Sequence, residues 1–255
     1  MISIVCVYNN KDVLENNLLR SIEAQTVDQE LILIDNRGHQ FPSAAKALNY
    51  GGRNANSEYI IFSHQDIYLP NPHWLEEAED YLESTPDLGI AGVAGMIAGG
   101  HCNKERGRNI IKHGKSLEPW SWGRPIVKPE PVQTLDECLF IIPKKIFDVY
   151  PLDEGTCAHW DLYAVDYCLS IREAMCLVAY ALPMMVHHRS LGHTTEKYFL
   201  TLNKVLKKHR QHCKRINTTT GSWSTSYPLG LQRQIKWVDM NVRGVTNKLS
   251  RMVRK

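Results

Sequence analysis

Three short apolar runs of the sequence each end in polar side chains that could contact a ligand. The polar groups are Tyr8-Asn9-Asn10, Asp35-Asn36 and His64-Gln65-Asp66. Apolar runs of this length are typical of strands buried in a parallel sheet. Ligands of open α/β sheets bind beyond the carboxyl ends of the strands. We therefore expect these polar side chains to form part of one binding site.

The turn after the first run lacks the glycines of the common nucleotide-binding loops. It reads Tyr8-Asn-Asn-Lys-Asp12, without G-x-G-x-x-G, and G-x-x-x-x-G-K-[ST] occurs nowhere in the chain. The glycines of those loops let backbone N–H groups approach phosphates closely. Their absence argues against a dinucleotide-dependent dehydrogenase and against a P-loop NTPase.

The apolar periodicity predicts the elements that position these residues. The first 62 residues are predicted to form β-α-β-α-β with short connections, so the fold class is α/β. The predicted strands cover residues 2–8, 30–35, 59–62, 88–96, 138–142 and 177–181, and the predicted helices cover 12–25, 43–56, 74–82, 145–150 and 162–175. Residues 97–134 are rich in Gly, Lys, Arg and Pro, and we interpret them as long loops over the site.

The composition is that of a protein with a full-sized core and reduced thiols. The 255 residues suffice for one large α/β domain or two small ones, and 43% of them are hydrophobic. No run approaches the ~18–20 apolar residues of a spanning helix, and Met1 leads directly into a predicted strand. The seven cysteines are odd in number and lack a C-x-x-C pair, which argues against a disulfide framework and a zinc cluster. We expect a cytoplasmic protein without a signal peptide or membrane anchor.

Charge is divided unevenly along the chain. Residues 197–255 hold 14 Lys and Arg and a single acid, Asp239, whereas residues 1–196 hold 16 Lys and Arg and 26 acids. The local net charges are therefore +13 and −10. A basic tail on an acidic body suggests contact with an anionic partner, such as membrane phospholipid or nucleic acid, or else a solvated basic helix.

Apolar residues in the tail recur every four and three positions alternately, which predicts a helix with one apolar face. The residues of this apolar face are Leu231, Ile235, Val238, Val242, Val245, Leu249 and Met252. Such a helix could pack on its own domain, pair with a second chain in a homodimer, or lie in a membrane interface. We place the main domain at residues 1–215 and the basic helical tail at residues 216–255.

Several short segments along the chain occur in an order that points to one family. The segments are Ile4–Asn10, Leu19–Thr26, Leu31–Asn36, Ala47–Gly51, Tyr59–Asp66, Asp136–Phe147, Asp166–Ala174 and Pro183–His188. Together they resemble the family 2 glycosyltransferases, which share the nucleotide-sugar-binding GT-A fold. The resemblance covers about residues 1–195 and does not reach the tail. It implies a mixed, mostly parallel sheet flanked by helices, with a Rossmann-like nucleotide-binding half.

The resemblance implies a donor site made of nucleotide-binding and metal-binding residues. The nucleotide-binding positions are Tyr8, Asn9, Asp35, Asn36, Lys46 and Gln65, of which Asp35 accepts a hydrogen bond from the nucleobase. Asp66 matches the last acid of the family's D-x-D motif, which holds a divalent ion on the donor diphosphate. His64 replaces the first acid of that motif, and His187, with His188 as the second choice, matches a late histidine that completes the metal or diphosphate site in the family. The implied cofactor is Mn²⁺ or Mg²⁺, and ligation by His64 favours Mn²⁺.

The base of an inverting transfer, which takes the proton of the acceptor hydroxyl, is harder to assign. The family has an acidic pair just ahead of the helix predicted near Leu162, and this chain has Tyr163-Ala164 there. The nearest acids are Asp161, which could also cap the helix, and Asp166, which could face the pocket or be structural. Asp136-Glu137 matches the family's segment beside the sugar. We favour Asp161 as the base.

The predicted function is metal-assisted, inverting transfer of a sugar from a UDP- or dTDP-linked donor to a glycan or polyprenyl-linked acceptor. The replacement of the family's acids also suits a catalytically inactive scaffold that binds nucleotide sugars. The basic tail suits a nucleic-acid-binding protein, but the tail has few aromatic residues and the acidic body would repel phosphates. We therefore expect no nucleic-acid partner, and we expect the tail to attach the protein peripherally to the cytoplasmic membrane face.

Overall fold

A mixed sheet lies at the centre of the protein, in a computed structural model that describes residues 1–109, 111–119, 123–190 and 194–238. The strands, in chain order, are β1 (Ile2–Tyr8), β2 (Gln29–Asp35), β3 (Tyr59–His64), β4 (Ile67–Tyr68), β5 (Leu88–Gly92), β6 (Gly95–Met96), β7 (Gly107–Arg108), β8 (Lys112–His113), β9 (Glu118–Pro119), β10 (Gly123–Arg124), β11 (Glu130–Val132), β12 (Thr134–Leu135), β13 (Leu139–Pro143), β14 (Val178–Ala181), β15 (His187–His188), β16 (Arg215–Thr218) and β17 (Gly221–Ser224).

Helices cover both faces of this sheet. They are α1 (Lys11–Leu14), α2 (Arg20–Ile22), α3 (Ala44–Asn54), α4 (Trp74–Ser84), α5 (Asn103–Arg106), α6 (Lys144–Val149), α7 (Tyr163–Met175), α8 (Glu196–Lys208) and α9, described over residues 229–238. A π-helical turn, Glu15–Leu19, joins α1 to α2. Asn10 begins the first of these helices, because its side chain accepts the backbone N–H of Val13 at 3.1 Å.

Seven strands of the described residues form the central sheet, in the order β11-β14-β5-β13-β3-β1-β2. β1 pairs in parallel with both β2 and β3, while β13 is antiparallel to β3 and β5. In this register Tyr8 lies opposite Asp35, and Val7 lies opposite His64. The carboxyl ends of β1, β2 and β3 therefore meet at one edge. The α/β class and the mostly parallel sheet predicted from the sequence are confirmed.

Alternating side chains of β1 face two different cores. Ile2, Ile4 and Cys6 pack in one cluster beneath α1 and α4, whereas Val5 packs in the other cluster beneath α3 and α7. Each buried aliphatic side chain stabilises the fold by ~1.5–3 kcal/mol. Helix α3 approaches the sheet closely at Gly51, where an added Cβ would lie 2.4 Å from the Val5 side chain. The apolar runs predicted as strands are thus buried on both faces.

Residues between 196 and 229 pack on the main domain. Helix α8 and the β16–β17 hairpin share a third core with α7, in which Ile216 and Trp223 are buried. The Asn217 side chain donates hydrogen bonds to the carbonyls of Ile97 and Ala98 at 2.8 and 2.9 Å. The domain boundary expected between residues 215 and 216 therefore falls inside this hairpin.

Three further expectations depend on the segments around this core. The segment 97–134, interpreted as loops, contains the short strands β7 to β11 and the helix α5. The predicted apolar face of the tail is described only as far as Val238, and its members Val242 to Met252 lie outside the described residues. Among the described residues, no helix combines the length and apolar character needed to cross a membrane.

Candidate functional site

A small sheet at the carboxyl edge brings β3 together with residues from far along the chain. Its order is β4-β15-β8-β9, and β4 begins directly after Asp66. β15 pairs antiparallel with β4, so that His188 lies opposite Ile67. β15 also pairs in parallel with β8, which places His113 opposite His188. Strand pairing alone thus carries a late histidine to the end of β3.

His64, Asp66 and His188 form a cluster of three groups that could hold a metal ion. One nitrogen or oxygen of each residue lies within 4.8 Å of the other two. His188 Nε2 is 3.5 Å from His64 Nδ1 and 3.5 Å from Asp66 Oδ1. The backbone N–H of Ser190 donates to Asp66 Oδ2 at 2.9 Å and fixes the carboxylate. Two imidazoles and one carboxylate leave room for further oxygen ligands from a diphosphate.

The electrostatics of this cluster suit a divalent ion. Burial and the neighbouring charge of His188 lower the pKa of His64 to about 4, so its imidazole is neutral at pH 7. Burial alone would raise the pKa of Asp66, but the hydrogen bond and charge of His188 hold it below its usual range. Burial lowers the pKa of His188, and Asp66 outweighs this effect, so the pKa is raised. His188 Nδ1 is buried without a hydrogen-bond partner among the described residues.

His64 is oriented by a tyrosine of α7. Its Nε2 lies 3.0 Å from the hydroxyl of Tyr163, which is buried. When the imidazole proton is on Nε2, this N–H donates a hydrogen bond to the Tyr163 hydroxyl. The lone pair of Nδ1 then points at His188 and Asp66. A hydrogen bond donated by the second ring N–H is the usual way in which a protein fixes a metal-binding histidine.

The two adjacent late histidines have different surroundings. His188 belongs to the cluster, whereas His187 stacks on Tyr68, with ring centroids 5.8 Å apart. This separation follows from the strand, since successive side chains point to opposite faces. His113 was not predicted, and its ring centroid lies 5.2 Å from that of His188. A two-residue strand in a segment without periodicity gives no sequence signal for its position.

Asp35 lies at the end of β2 and is held by a neighbouring arginine. Arg37 Nε is 3.0 and 2.9 Å from the two carboxylate oxygens, and Arg37 Nη2 is 2.5 Å from Oδ2. The hydrogen bonds from Arg37 hold the pKa of Asp35 below its usual range. The guanidinium also lies 5.9 Å from the centroid of the Tyr8 ring. Sequence reasoning identified Tyr8 and Asp35 but missed Arg37, whose type and turn position carry no distinctive signal.

The turn after β1 is tied to the end of β3. Gln65 Oε1 accepts the backbone N–H groups of Asn9 and Asn10 at 3.0 Å each, and Gln65 Nε2 donates to Asn9 Oδ1 at 2.8 Å. The predicted residues Asn9 and Gln65 are thus in direct contact. Asn36 is buried, and its Oδ1 accepts the N–H of Phe41, so it holds the loop after β2. Lys46 is exposed on α3.

Three acids line the path from the cluster to the start of α7. Burial alone would raise the pKa of Asp136. The charges of His188 and His64 contribute to a net lowering of this pKa. Burial raises the pKa of Glu137 to about 8, and its Oε1 accepts the N–H of Ala164 at 3.3 Å. Asp161 is half-buried, and burial raises its pKa. The charge of Asp161 contributes to the raised pKa of Glu137.

Asp166 does not reach this group of acids, which corrects one of the two alternatives for the base. Its side chain is 2% exposed and bonds Lys208 Nζ at 2.7 Å and His209 Nε2 at 2.8 Å. Asp166 therefore faces α8 and ties that helix to α7. Asp161 is not the helix cap that its position suggested, because the N-cap of α7 is Leu162, with a positive φ of 65°.

Comparison with protein families decides the assignment. A model described as "Glycosyltransferase like family" matches residues 2–209. The chain belongs to this glycosyltransferase-like family. The resemblance inferred from the short segments is confirmed. No curated protein matches the sequence significantly.

Solved structures share the fold of this glycosyltransferase-like chain at low identity. GalNAc-T7 with UDP, GalNAc and Mn²⁺ has a TM-score of 0.57 at 11% identity, over 82% of this chain and 47% of that one. The mannosyltransferase PcManGT from Pyrobaculum calidifontis, in complex with GDP-Man and Mn²⁺, has a TM-score of 0.50 at 12% identity, over 83% and 62%. S. aureus TarS 1–349 in complex with UDP-GlcNAc has a TM-score of 0.51 at 12% identity, over 83% and 67%. The chain spans less than two thirds of the first two proteins, and the similarity shows the GT-A fold.

The departures of this glycosyltransferase-like chain from the family pattern lie together. His64 stands where the resemblance implies the first acid of a D-x-D motif, and Tyr163 stands where it implies the first acid of a pair. The structure places these two side chains in hydrogen-bond contact. Ala164 takes the second acidic position, and the nearest acids in the chain are Asp166, two positions after it, and Asp161, three positions before it. The altered residues therefore belong to one rearranged site.

Proposed function

We propose that the protein is an inverting glycosyltransferase that uses a nucleotide-sugar donor and a divalent ion. The observation that carries this proposal is the convergence of His64, Asp66 and His188 at the carboxyl ends of the strands, in a chain of the glycosyltransferase-like family. Asp35 lies at the end of the neighbouring strand in the same sheet. An ion site beside a nucleobase site is what a nucleoside diphosphate requires.

His64 Nδ1, the Asp66 carboxylate and His188 Nε2 would hold the ion, for which we propose Mn²⁺ or Mg²⁺. Bound there, the ion supplies positive charge that stabilises the departing diphosphate. The mixed nitrogen and oxygen donor set favours Mn²⁺ over Mg²⁺, which prefers oxygen ligands. Two of the similar structures, GalNAc-T7 and PcManGT, contain Mn²⁺.

The nucleotide is proposed to lie across the ends of β1 and β2. Asp35 already accepts hydrogen bonds from Arg37, and a carboxylate has about four lone-pair sites, so it can accept one more from a nucleobase N–H. A base with a ring N–H beside a carbonyl, such as uracil or thymine, fits this acceptor. We therefore propose a UDP- or dTDP-linked donor. The contact between Asn9 and Gln65 shapes the floor beneath the ribose and diphosphate.

Asp161 is proposed as the base. The acceptor hydroxyl oxygen attacks the anomeric carbon, the bond from that carbon to the diphosphate oxygen breaks, and the hydroxyl proton passes to the Asp161 carboxylate. Attack opposite the leaving group inverts the anomeric centre. Glu137, with its pKa raised to about 8, holds a proton at pH 7 and can donate a hydrogen bond to the sugar. Asp136 stays ionised and can accept one.

The acceptor is proposed to be a glycan or a polyprenyl-linked sugar, reached at the cytoplasmic face of a membrane. The basic composition of residues 197–255 supports this location, because a basic segment is attracted to anionic lipid.

Calorimetric titration of UDP, with and without Mn²⁺, tests the donor site. Mn²⁺ is expected to tighten UDP binding at least ~10-fold in the wild type but not in Asp66→Asn. Asp80→Asn, a change of the same type at an exposed position of α4, is the matched control and should behave as the wild type. Equal UDP affinity with and without Mn²⁺ in the wild type would contradict a metal-assisted site.

Turnover separates the enzyme from an inactive scaffold. Release of UDP or dTDP from a panel of nucleotide sugars with Mn²⁺ is expected for at least one donor, since water can take the place of the acceptor hydroxyl as the nucleophile. Donor binding without any release, even with glycan acceptors present, would instead support a scaffold.

A further inference from the structure

A pocket apart from the proposed donor site lies between α8, the β16–β17 hairpin and α9. It has a volume of about 730 Å³. Its walls combine aromatic rings with cations, and they include Phe199, Trp223, Arg233, Lys236 and Trp237. The pocket lies mostly beyond residue 209, where the match to the glycosyltransferase-like family ends. It is therefore a feature of this chain, outside the donor site.

The cations of the pocket rest on its aromatic rings. Lys236 Nζ lies 3.4 Å from the centroid of the Trp223 ring, and the Arg233 guanidinium lies 3.8 Å from that of Phe199. The rings of Phe199 and Trp223 meet edge to face at 6.0 Å. Cation–π contacts hold the two charges in place without neutralising them. Of these two cations, only Arg233 has an acidic partner among the described residues, and this partner is the exposed Glu196.

The indole N–H of Trp223 has no hydrogen-bond partner among the residues that the structure describes. The residue is 4% exposed, and its indole Nε1 is buried and unpartnered among the described residues. A buried N–H group without a partner is unfavourable, so a ligand acceptor at this point would be favourable. In the same place, burial and the charges of Arg215 and Arg106 lower the pKa of Lys236 to about 8. An anion beside Lys236 would relieve this repulsion.

The pocket adjoins the proposed base. Tyr198, on the same helix as Phe199, hydrogen-bonds the hydroxyls of Thr218 and Thr220, and Thr220 lines the pocket. Leu162, which follows Asp161 in the chain, packs in the same core cluster as Tyr198 and Trp223. A ligand seated in the pocket would therefore extend towards the acid that takes the acceptor proton.

We propose that this pocket is an acceptor subsite that binds an anionic sugar, with Trp223 supplying an indole N–H and Lys236 and Arg233 supplying the positive charge. An aromatic wall suits the apolar face of a sugar ring, and the cations suit its phosphate or carboxylate. This inference rests on the proposed glycosyl transfer, because it names the acceptor side of the same reaction. It assigns an anionic unit of the acceptor to the pocket and leaves the donor at the strand ends.

Calorimetry on the full chain with three small probes tests the subsite. Glucose 6-phosphate and glucuronate are expected to bind, and methyl glucoside, which is neutral, is expected not to. Lys236→Gln should weaken binding of the two anions ~10–100-fold, the effect of losing one charged hydrogen bond. Trp223→Phe keeps an aromatic ring and should weaken binding ~10-fold through loss of the N–H. Lys207→Gln, an exposed basic position of α8, is the matched control and should leave binding unchanged.

Competition with the nucleotide separates this inference from the proposed function. Saturating UDP with Mn²⁺ should not displace glucose 6-phosphate, because the two ligands occupy different sites. Displacement by UDP would overturn the subsite, and so would equal binding of the neutral and anionic sugars or the absence of sugar binding while UDP still binds. Anionic-sugar binding that persists in a protein unable to bind UDP would instead overturn the proposed transfer while leaving the pocket as a sugar site.

Discussion

His64 and Tyr163 are in contact although 99 positions separate them in the chain. The resemblance implies an acid at each of these positions, where this chain has two neutral side chains in hydrogen-bond contact. Two neutral groups can still direct the lone pair of His64 Nδ1 at an ion. The single carboxylate of the cluster, Asp66, then carries the only negative charge among these three proposed ligands.

Tyr163→Phe is expected to weaken Mn²⁺ binding ~10–100-fold, the effect of losing the group that orients a metal-binding histidine. Tyr167→Phe is the matched control, because Tyr167 is also buried on α7 and its hydroxyl has no partner among the described residues. Mn²⁺ titration followed by electron paramagnetic resonance measures both affinities. Unchanged Mn²⁺ affinity in Tyr163→Phe would show that the hydrogen bond to His64 does not support the ion.

Asp161→Asn is expected to lower kcat ~10²–10⁴-fold while leaving UDP affinity unchanged, since it removes a general base. Leu162 occupies the N-cap position of α7, so a change at Asp161 disturbs no helix cap. Glu137→Gln mimics the protonated state that Glu137 holds at pH 7, and it should change kcat little. Initial rates under saturating donor separate these outcomes. The opposite pattern, with loss only in Glu137→Gln, would move the base to Glu137.

Glu137 also makes a testable contribution to the pH dependence of stability. Its pKa is about 8 in the folded protein against 4.5 for the free group, so between these pH values the folded state holds a proton that the unfolded chain has lost. Stability therefore falls as pH rises from about 4.5 to about 8. Glu137→Gln should remove this part of the fall, so its Tm should exceed that of the wild type at pH 8.5 and match it at pH 4. A constant difference in Tm across this range would contradict the raised pKa.

Helix α8 is held by charged side chains buried against α7. Asp166 contacts both Lys208 and His209, and His209 in turn contacts Glu173. The ring of His209 is fully buried, and its two nitrogens each have a carboxylate partner. This network fixes the helix that separates the proposed acceptor pocket from the body of the domain. Its role is structural, and Asp166 is removed from the list of possible bases.

Asp166→Asn is expected to destabilise the protein by ~1–3 kcal/mol, because it removes the buried carboxylate that Lys208 and His209 share and leaves them only Asp153 and Glu173. Glu173→Gln changes a partner of the same histidine whose side chain is 20% exposed, and it should cost ~1 kcal/mol or less. Urea unfolding at pH 7 gives both values. Equal costs for the two variants would argue that burial does not set the strength of this network.

The strands and helices of the central sheet could be predicted because burial fixes their pattern. The run around Ile4 and that around Ile61 are apolar on both faces, so each is recognisable as a buried strand without its partners. The two-residue strands β8 and β15 carry no such pattern, and only the fold pairs them. For this reason the sequence favoured His187, whereas the cluster contains His188, and His113 was not identified. The hairpin that contains Trp223 was likewise assigned to the tail, since short polar strands are not distinct from loops.

The whole molecule combines an acidic body with a basic carboxyl-terminal segment. In the described part of α9, Arg233 and Lys236 face the domain, where they lie over Phe199 and Trp223. Leu231 and Ile235, which belong to the predicted apolar face, are 48% and 59% exposed. The described part of this helix thus turns its apolar residues outwards, which suits insertion into a membrane interface or contact with a second chain. Truncation at residue 221 would remove Trp223 from the core, so substitutions are the better test.

Replacing Arg243, Lys248, Arg251 and Arg254 by Gln is expected to abolish binding to anionic liposomes at low salt. These four residues lie outside the described residues. Each basic residue near an anionic surface contributes ~1 kcal/mol, so four together account for ~10³-fold in affinity. The matched control replaces four exposed basic residues of the body, Lys11, Arg20, Arg53 and Lys145, by Gln and should still bind. Liposome sedimentation measures binding, and analytical ultracentrifugation measures oligomeric state. A wild-type protein that ignores anionic liposomes, but changes from dimer to monomer on Leu231→Ser and Ile235→Ser, would assign the exposed apolar face to a second chain.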